Sequence, residues 1–346
     1  MDLSQKPLVS ICIPVFNGEN FIKDCLDSVI SQSNKNFEII VIDNNSVDNT
    51  LQIVKSYNDP RIKIYSNEKN IGALNNFTKC IELASAEYFV MIPHDDVMQQ
   101  NFIDEMSTIL NKNKEVGIVY AGVNYIDEDK NIIKKIINYD CDMNFKKNET
   151  IKDIVQNFMP IQLPMVRTNI LKKIGKFDEN FSLFADVNLW MKIMYLDWNV
   201  YFISKTLSCL RTHKKQAQRA FQIQDTTLMS EHYGAQLNQS FWKLHNYNYL
   251  FLRLINFIIR ESKKKKYNII FIEKKLLPEI CRLNIRAILL SILKFNKFNF
   301  GIELINFKDI YSSFGFKKMF LTFLFVISRE IKNKFSFSFL KKNINN

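Results

Sequence analysis

Short apolar runs of strand character alternate with stretches of helical period across the first 130 residues. The strand-like runs are LVSICIPVF (8–16), FEIIVID (37–43), RIKIYS (61–66), YFVMI (88–92) and VGIVYAGVNYI (116–126), rich in β-branched and aromatic residues. Between the first two, Phe21, Ile22, Cys25, Leu26, Val29 and Ile30 recur at the spacing of one helix face. A second helix is expected to start near Asp48 and Asn49, a third to cover 75–85 and a fourth 101–113. Strands alternating with helices imply an α/β fold, with a mostly parallel sheet and helices on both faces. Ligands of such sheets bind beyond the carboxyl ends of the strands. Asn17-Gly18, residues 43–46 and residues 94–96 fall at those ends.

From 148 to 220 the pattern is irregular, interrupted by Pro160 and Pro164. An amphipathic run around Trp190 and the strand-like VYFISKTLSCL (200–210) follow, and this stretch is expected to form the acceptor half of a site. Beyond about residue 225 the apolar positions, among them Leu250, Leu254, Phe257 and Ile258, fall on one helical stripe. A chain of 346 residues exceeds what one hydrophobic core usually serves. Two units are therefore expected, an α/β domain over 1–220 and a mainly helical region over 221–346. There is no internal repeat, and the lysine run at 263–266 reads as a solvated helix end or loop.

Charge separates the same two regions. Residues 261–346 hold 18 Lys+Arg against 6 Asp+Glu, whereas residues 1–260 hold 29 of each, so the formal excess of +12 lies in the tail. The tail also carries MFLTFLFVI (319–327) and FSFSFL (335–340) with lysines around them, which suits an anionic membrane surface better than nucleic acid. The alternative is a basic, Phe-rich bundle that packs on its own domain, on a partner or on a second copy. No apolar stretch reaches the roughly 18 to 20 residues a spanning helix needs, and MDLSQKP is not a basic-then-apolar leader. The six cysteines show no C-x-x-C spacing and sit mostly in apolar runs. A reducing cytoplasm, at the inner face of the membrane, is the expected location.

Two separated acidic sites carry the candidate chemistry. YFVMIPHDDV (88–97) ends an apolar run in paired carboxylates, and FADVNLWMKI (184–193) opens an amphipathic run with a single one. The first suits a metal and a diphosphate, the second suits removal of a proton from a hydroxyl, and RTH (211–213) adds an imidazole.

Over about residues 8–220 the chain resembles the inverting family 2 glycosyltransferases of GT-A fold. The matching segments are VSICIPVFNGENFI, DNNSVDNT, NIGALNNFTKCIELASAEYFVMIPHDDV, KIGKFDENFSLFADVNLWMKI and RTH. Each motif is short, and their order carries the resemblance. It implies that Pro14, Val15 and Phe16 wall a nucleotide base whose ring N–H is accepted by Asp43, with Ser46, Asn70, Gly72 and Asp95 completing the nucleotide contacts. It implies Mg²⁺ or Mn²⁺ held by Asp95 and Asp96, with His213 approaching the same metal or diphosphate, and Asp186 as general base. Structural alternatives stand beside these roles. Asp43 and Ser46 could cap the next turn, Gly72 could serve the turn alone, Asp96 and Asp186 could be helix N-caps, and Trp190 could be core rather than an acceptor contact.

The sequence departs from the family pattern at Pro93, where the commonest motif has its first Asp, and at Ala185 and Asn188, where acidic residues are usual. The expected activity is inverting transfer from a nucleotide-sugar, UDP-linked, to a lipid-linked or surface-glycan hydroxyl. The competing expectation is a catalytically weak nucleotide-binding subunit of a membrane-associated assembly. A processive polysaccharide synthase fits less well, because the segment from Gln216 to Arg219 lacks the Trp that completes that class's motif.

Overall fold

The computed structural model describes residues 6–146, 161–214 and 216, together with Phe257, Ile258, Glu261 and Lys264. Every strand and helix named below lies in the first of two compact units, 1–151 with 159–241; the second is 152–158 with 242–346. Most of the expected helical tail, including Leu250, Leu254, the lysine run apart from Lys264 and both Phe-rich segments, lies outside the described residues. So do Pro160, Cys281 and Arg219.

The first half of the unit alternates as its periodicity predicts: β1 (Val9–Val15), α1 (Ile22–Ile30), β2 (Phe37–Asp43), α2 (Thr50–Lys55), β3 (Ile62–Ser66), α3 (Ala73–Leu83) and β4 (Tyr88–Met91). A two-residue β5 (Val97–Met98), α4 (Phe102–Lys112) and the long β6 (Val116–Ile126) follow. The chain continues through β7 (Ile132–Ile136), β8 (Met143–Phe145), β9 (Met165–Arg167) and α5 (Thr168–Ile174). A 3₁₀ turn (Glu179–Phe184) then leads into α6 (Ala185–Tyr195) and β10 (Asn199–Arg211).

The strands form one sheet in the order β3-β2-β1-β4-β9-β6-β10-β5, with β7 on β6 and β8 on β10. The β3-β2-β1-β4 portion is parallel, as is β6 with β10. Elsewhere the sheet is mixed: β9 runs antiparallel to both β4 and β6 and joins the two parallel portions. Strands β5, β7, β8 and β9 have no counterpart in the sequence reading. At two to five residues they are too short for a period of two to stand out.

Strands β1 and β2 are buried at all seven positions, which explains why they read as unbroken apolar runs rather than alternations. Helix α1 packs through Ile22, Cys25, Leu26 and Val29, one face of a 3.6-residue period. Arg167 on β9 is a buried cation that donates to the carbonyls of Leu110, Asn113 and Val116. It thereby satisfies acceptors at the end of α4 that the helix itself leaves open. The result leaves the carboxyl ends of β1, β2 and β4 side by side in register, with Val15 opposite Asp43.

Candidate active site

The loops leaving β1 and β2 interlock. Asn17 and Asn45 adopt left-handed backbone, with φ of 50° and 66°, a conformation Asn tolerates better than most residues. The Asn17 N–H donates to Ser46 Oγ at 2.9 Å, and Val47 N–H donates back to Asn17 Oδ1 at 3.0 Å. Gly18 N–H donates to Thr50 Oγ1 at 2.7 Å, and Glu19 N–H to Asp48 Oδ2 at 3.1 Å. Gly18 is required by close approach. A Cβ there would lie 2.4 Å from His94 Cδ2 and 2.7 Å from Val15 Cγ2, so the loop after β4 packs directly on the loop after β1.

Asp43 ends β2 and is 3% exposed, with its carboxylate accepting the Ser46 N–H at 3.2 and 3.3 Å. The turn-capping role is therefore present, and a carboxylate has lone pairs beyond the one contact. Pro14 and Val15 lie on or beside the buried end of β1, and Phe16 follows at the strand's exit. Next to them lies an amide network. Asn44 donates to Asn70 Oδ1 at 2.8 Å and accepts from Asn67 Nδ2 at 2.9 Å and from Ile71 N–H at 3.0 Å. Asn67 also donates to Asn76 Oδ1 at 3.0 Å, Asn76 donates to the Ile42 carbonyl at 3.1 Å, and Lys79 donates to Asn67 Oδ1 at 2.6 Å. The network holds Asn70 so that its Oδ1 accepts from Gly72 N–H at 2.8 Å. Gly72 itself has φ 82° and ψ 154°, open to glycine and strained for any other residue, immediately before α3.

Beyond β4 the two aspartates diverge. His213 Nε2 lies 2.9 Å from Asp95 Oδ2. Burial works to raise the Asp95 carboxyl, but the His213 hydrogen bond and the charges of His94 and His213 outweigh it, and the group sits below the usual carboxylate range. Asp96 is 6% exposed, and its Oδ1 accepts the Arg211 backbone N–H at 2.9 Å. Burial and then the Asp95 charge push the Asp96 carboxyl well up. The pair thus concentrates its negative charge on Asp95 and turns Asp96 inward to β10.

Asp186 occupies the first turn of α6 and is partly exposed, accepting Val187 N–H at 2.7 Å. Desolvation raises its carboxyl to about 6, against backbone hydrogen bonds that lower it. Such a group is ionised near neutral pH yet basic enough to take a proton. Trp190, on the same helix, is 5% exposed and lies in the core, with no partner for its indole N–H among the described residues. No hydrogen bond or ion pair among the described residues joins Asp186 to the Asp95 cluster.

No group of three or more His, Cys, Asp or Glu is placed to hold a metal among the described residues. Asp95 and His213 nevertheless offer one carboxylate and one imidazole within 2.9 Å of each other. That donor set fits a cation which takes few protein ligands and completes its shell with phosphate oxygens and water. Asn44, Asn67, Asn76, Lys79 and Asp24 shape the site without having been singled out for it, and Arg211 entered only as the first residue of RTH. The recurrence of Asn just past the ends of β2 and β3 was the one signal available.

These features define an α/β protein whose polar and charged groups gather beyond the carboxyl ends of its parallel strands. Residues 10–175 match the family model Glycosyl transferase family 2, and this part of the chain belongs to that family. An uncharacterized glycosyltransferase of Rickettsia typhi is 34% identical over 215 residues, covering 61% of this chain and 65% of the relative. One of Methanocaldococcus jannaschii is 28% identical over 290 residues, covering 76% of this chain and 96% of the relative. The chain thus spans slightly less than two thirds of the length of the Rickettsia typhi relative. The crystal structure of S. aureus TarS 1–349 in complex with UDP-GlcNAc aligns with a TM-score of 0.56 at 16% identity, covering 86% of this chain and 90% of that chain. The likeness is one of fold, and it bears out the expected GT-A architecture for the described unit.

Proposed function

We propose that the protein transfers a sugar, with inversion, from a UDP-sugar to a hydroxyl of a lipid-linked or surface-glycan acceptor. The observation that carries this reading is the grouping at the ends of β2, β3 and β4 of Asp43, the Gly72 turn and the Asp95–His213 pair, in a chain whose 10–175 segment belongs to the family. TarS, which shares the fold, is solved with UDP and with UDP-GlcNAc, which supports UDP as the nucleotide. The base lies against the β1 exit, Pro14 to Phe16, with Asp43 accepting its ring N–H, while Ser46, Asn70 and Gly72 line the approach. Asp95 and His213 would hold Mg²⁺ or Mn²⁺, which would neutralise charge on the departing diphosphate. Asp96 supports them from inside.

Asp186 takes the proton of the acceptor hydroxyl as its oxygen bonds to the anomeric carbon. The bond from that carbon to the diphosphate breaks on the opposite face, and the nucleoside diphosphate leaves with the electron pair. Trp190 acts through packing of α6. The decisive experiment measures release of UDP from candidate UDP-sugars with and without Mn²⁺, and then with glycan acceptors; absence of turnover with every donor would remove the reading. The second reading, a nucleotide-binding subunit with weak catalysis, draws on Pro93 and Ala185 and is separated by nucleotide binding without transfer.

The location we infer is peripheral, at the inner face of the cytoplasmic membrane. Among the described residues no helix is long and apolar enough to cross a membrane, and the five described cysteines are free. Contact with anionic lipid falls to the basic, Phe-rich tail, each basic residue near the surface contributing about 1 kcal/mol. Deleting residues 310–346 should release the protein from anionic vesicles and leave UDP binding intact in a co-sedimentation assay. Full-length protein that stays in solution with anionic vesicles at low salt would instead mark the tail as a packing or oligomer surface.

A further inference from the structure

Among the described residues Arg211 is one of the largest fully buried side chains, with none of the side chain exposed. Its Nε donates to the Asp95 carbonyl at 2.9 Å, and its Nη1 donates to the Glu128 carbonyl at 2.7 Å and more weakly to that of Asp127 at 3.4 Å. Nη2 donates to Asp24 Oδ2 at 2.9 Å. The guanidinium also lies 4.7 Å from the centre of the Phe21 ring, and that ring sits 4.8 Å from the His213 imidazole. Asp24 lies within the first turn of α1, and Phe21 is the residue that precedes it. One end of α1 therefore touches both members of the Asp95–His213 pair, through the guanidinium to the Asp95 backbone and through the ring to His213.

We propose that Asp24 is a positioning residue for the diphosphate site, acting through Arg211 to set where Asp95 and His213 stand. The inference rests on the reading of those two residues as the diphosphate and metal contacts. A buried guanidinium with a carboxylate, three carbonyls and an aromatic ring around it is strongly confined, because four of the five N–H directions of the planar fork are taken by these acceptors. Asp24 is the only carboxylate whose side chain the described structure shows bonded to it. It is shared with Lys130, whose Nζ lies 2.9 Å from Asp24 Oδ1 on the exposed side. Asp24 touches neither nucleotide nor acceptor in this scheme. Its effect reaches the site only by displacement of the Asp95 loop and of β10's end. Support at one remove from ligating groups is commonly worth about 10- to 100-fold in affinity.

The test compares Asp24→Asn with Lys130→Ala in the full-length protein, using UDP and uridine as probes with and without Mn²⁺. Asp24→Asn keeps an oxygen acceptor for Arg211 and removes the charge. It should weaken UDP binding in Mn²⁺ about 10-fold, leave uridine binding unchanged, and raise hydrogen exchange in peptides spanning 93–97 and 209–214. Lys130→Ala should change none of the three by more than about twofold, since an exposed pair contributes little. UDP affinity and exchange equal to wild type in Asp24→Asn, with only the melting temperature lowered, would overturn the inference and leave a purely structural ion pair. Wild-type protein that binds no UDP with Mn²⁺ would instead remove the diphosphate reading itself, and the inference with it. Should Asp24→Asn fail to fold, Asp24→Glu, which keeps the charge and lengthens the arm by one methylene, is read against the same outcomes.

Discussion

The loops after β1, β2 and β3 are tied to one another by amide, hydroxyl and carboxylate hydrogen bonds, whereas α6, which carries Asp186, buries Ala185, Leu189, Trp190, Met191, Ile193 and Met194. Around those loops, Asn44, Asn67 and Asn76 are buried and paired. Around Asp186, three of the six buried side-chain atoms that lack a partner among the described residues belong to α6: both amide atoms of Asn188 and the Trp190 Nε1. A buried polar group left unpaired costs roughly 1–3 kcal/mol. The contrast separates two tasks. One end has its backbone turns fixed by side chains; the other carries a partly exposed carboxylate that desolvation raises to about 6.

The largest expected effect breaks the comparison at its acceptor side. Asp186→Asn should lower transfer by at least about 10²-fold while UDP binding persists, because volume is kept and the proton acceptor is lost. In the wild type, the rate should fall as pH drops through about 6, where Asp186 becomes protonated. Stability moves the other way. A carboxyl raised from 3.8 to about 6 holds its proton longer in the folded state, so its contribution favours folding at low pH and is lost as pH rises through about 6. Asp186→Asn should therefore melt higher than wild type at pH 8 and not at pH 4. Equal transfer by variant and wild type would exclude Asp186 as the base.

Next in size is the metal arm of the nucleotide side. Asp95→Ala should reduce UDP affinity in Mn²⁺ by at least about 10-fold and abolish stimulation by the cation. Asp96→Asn, whose amide oxygen can still accept the Arg211 N–H, should keep that stimulation. Activity untouched by EDTA would end the metal assignment for both.

The smallest effects sharpen the contrast directly. Asn76→Leu strands the Ile42 carbonyl and an Asn67 donor and should destabilise the protein by about 1–3 kcal/mol in urea unfolding. Asn188→Leu removes an amide that has no partner among the described residues and should be neutral or stabilising. Matching losses in the two variants would show that the halves are not built differently.

Legibility in the sequence follows the same division. Strands β1, β2 and β6 and helices α1 and α4 were visible because each is long enough, and apolar enough on one face or both, for its period to be counted. Strand β9 and helix α5 fell in a stretch that read as irregular, since three and seven residues carry no countable period. The motif order singled out Asp43, Gly72, Asp95, Asp186 and His213 as candidate site residues. It left Asp96 open between metal ligand and helix N-cap, because sequence does not show that β10 supplies a backbone N–H to its carboxylate.

Sequence alone determined the alternating α/β plan, the family pattern over the first half of the chain and the charge excess of the tail, all properties of neighbours along the chain. Tertiary structure alone decided the antiparallel joint at β9, the burial of Trp190 and the meeting of Asp24 with Arg211 across 187 positions. Local period reports which side of an element is apolar. Which distant side chain completes a buried guanidinium depends on where the folded elements stop, and no local pattern contains that distance.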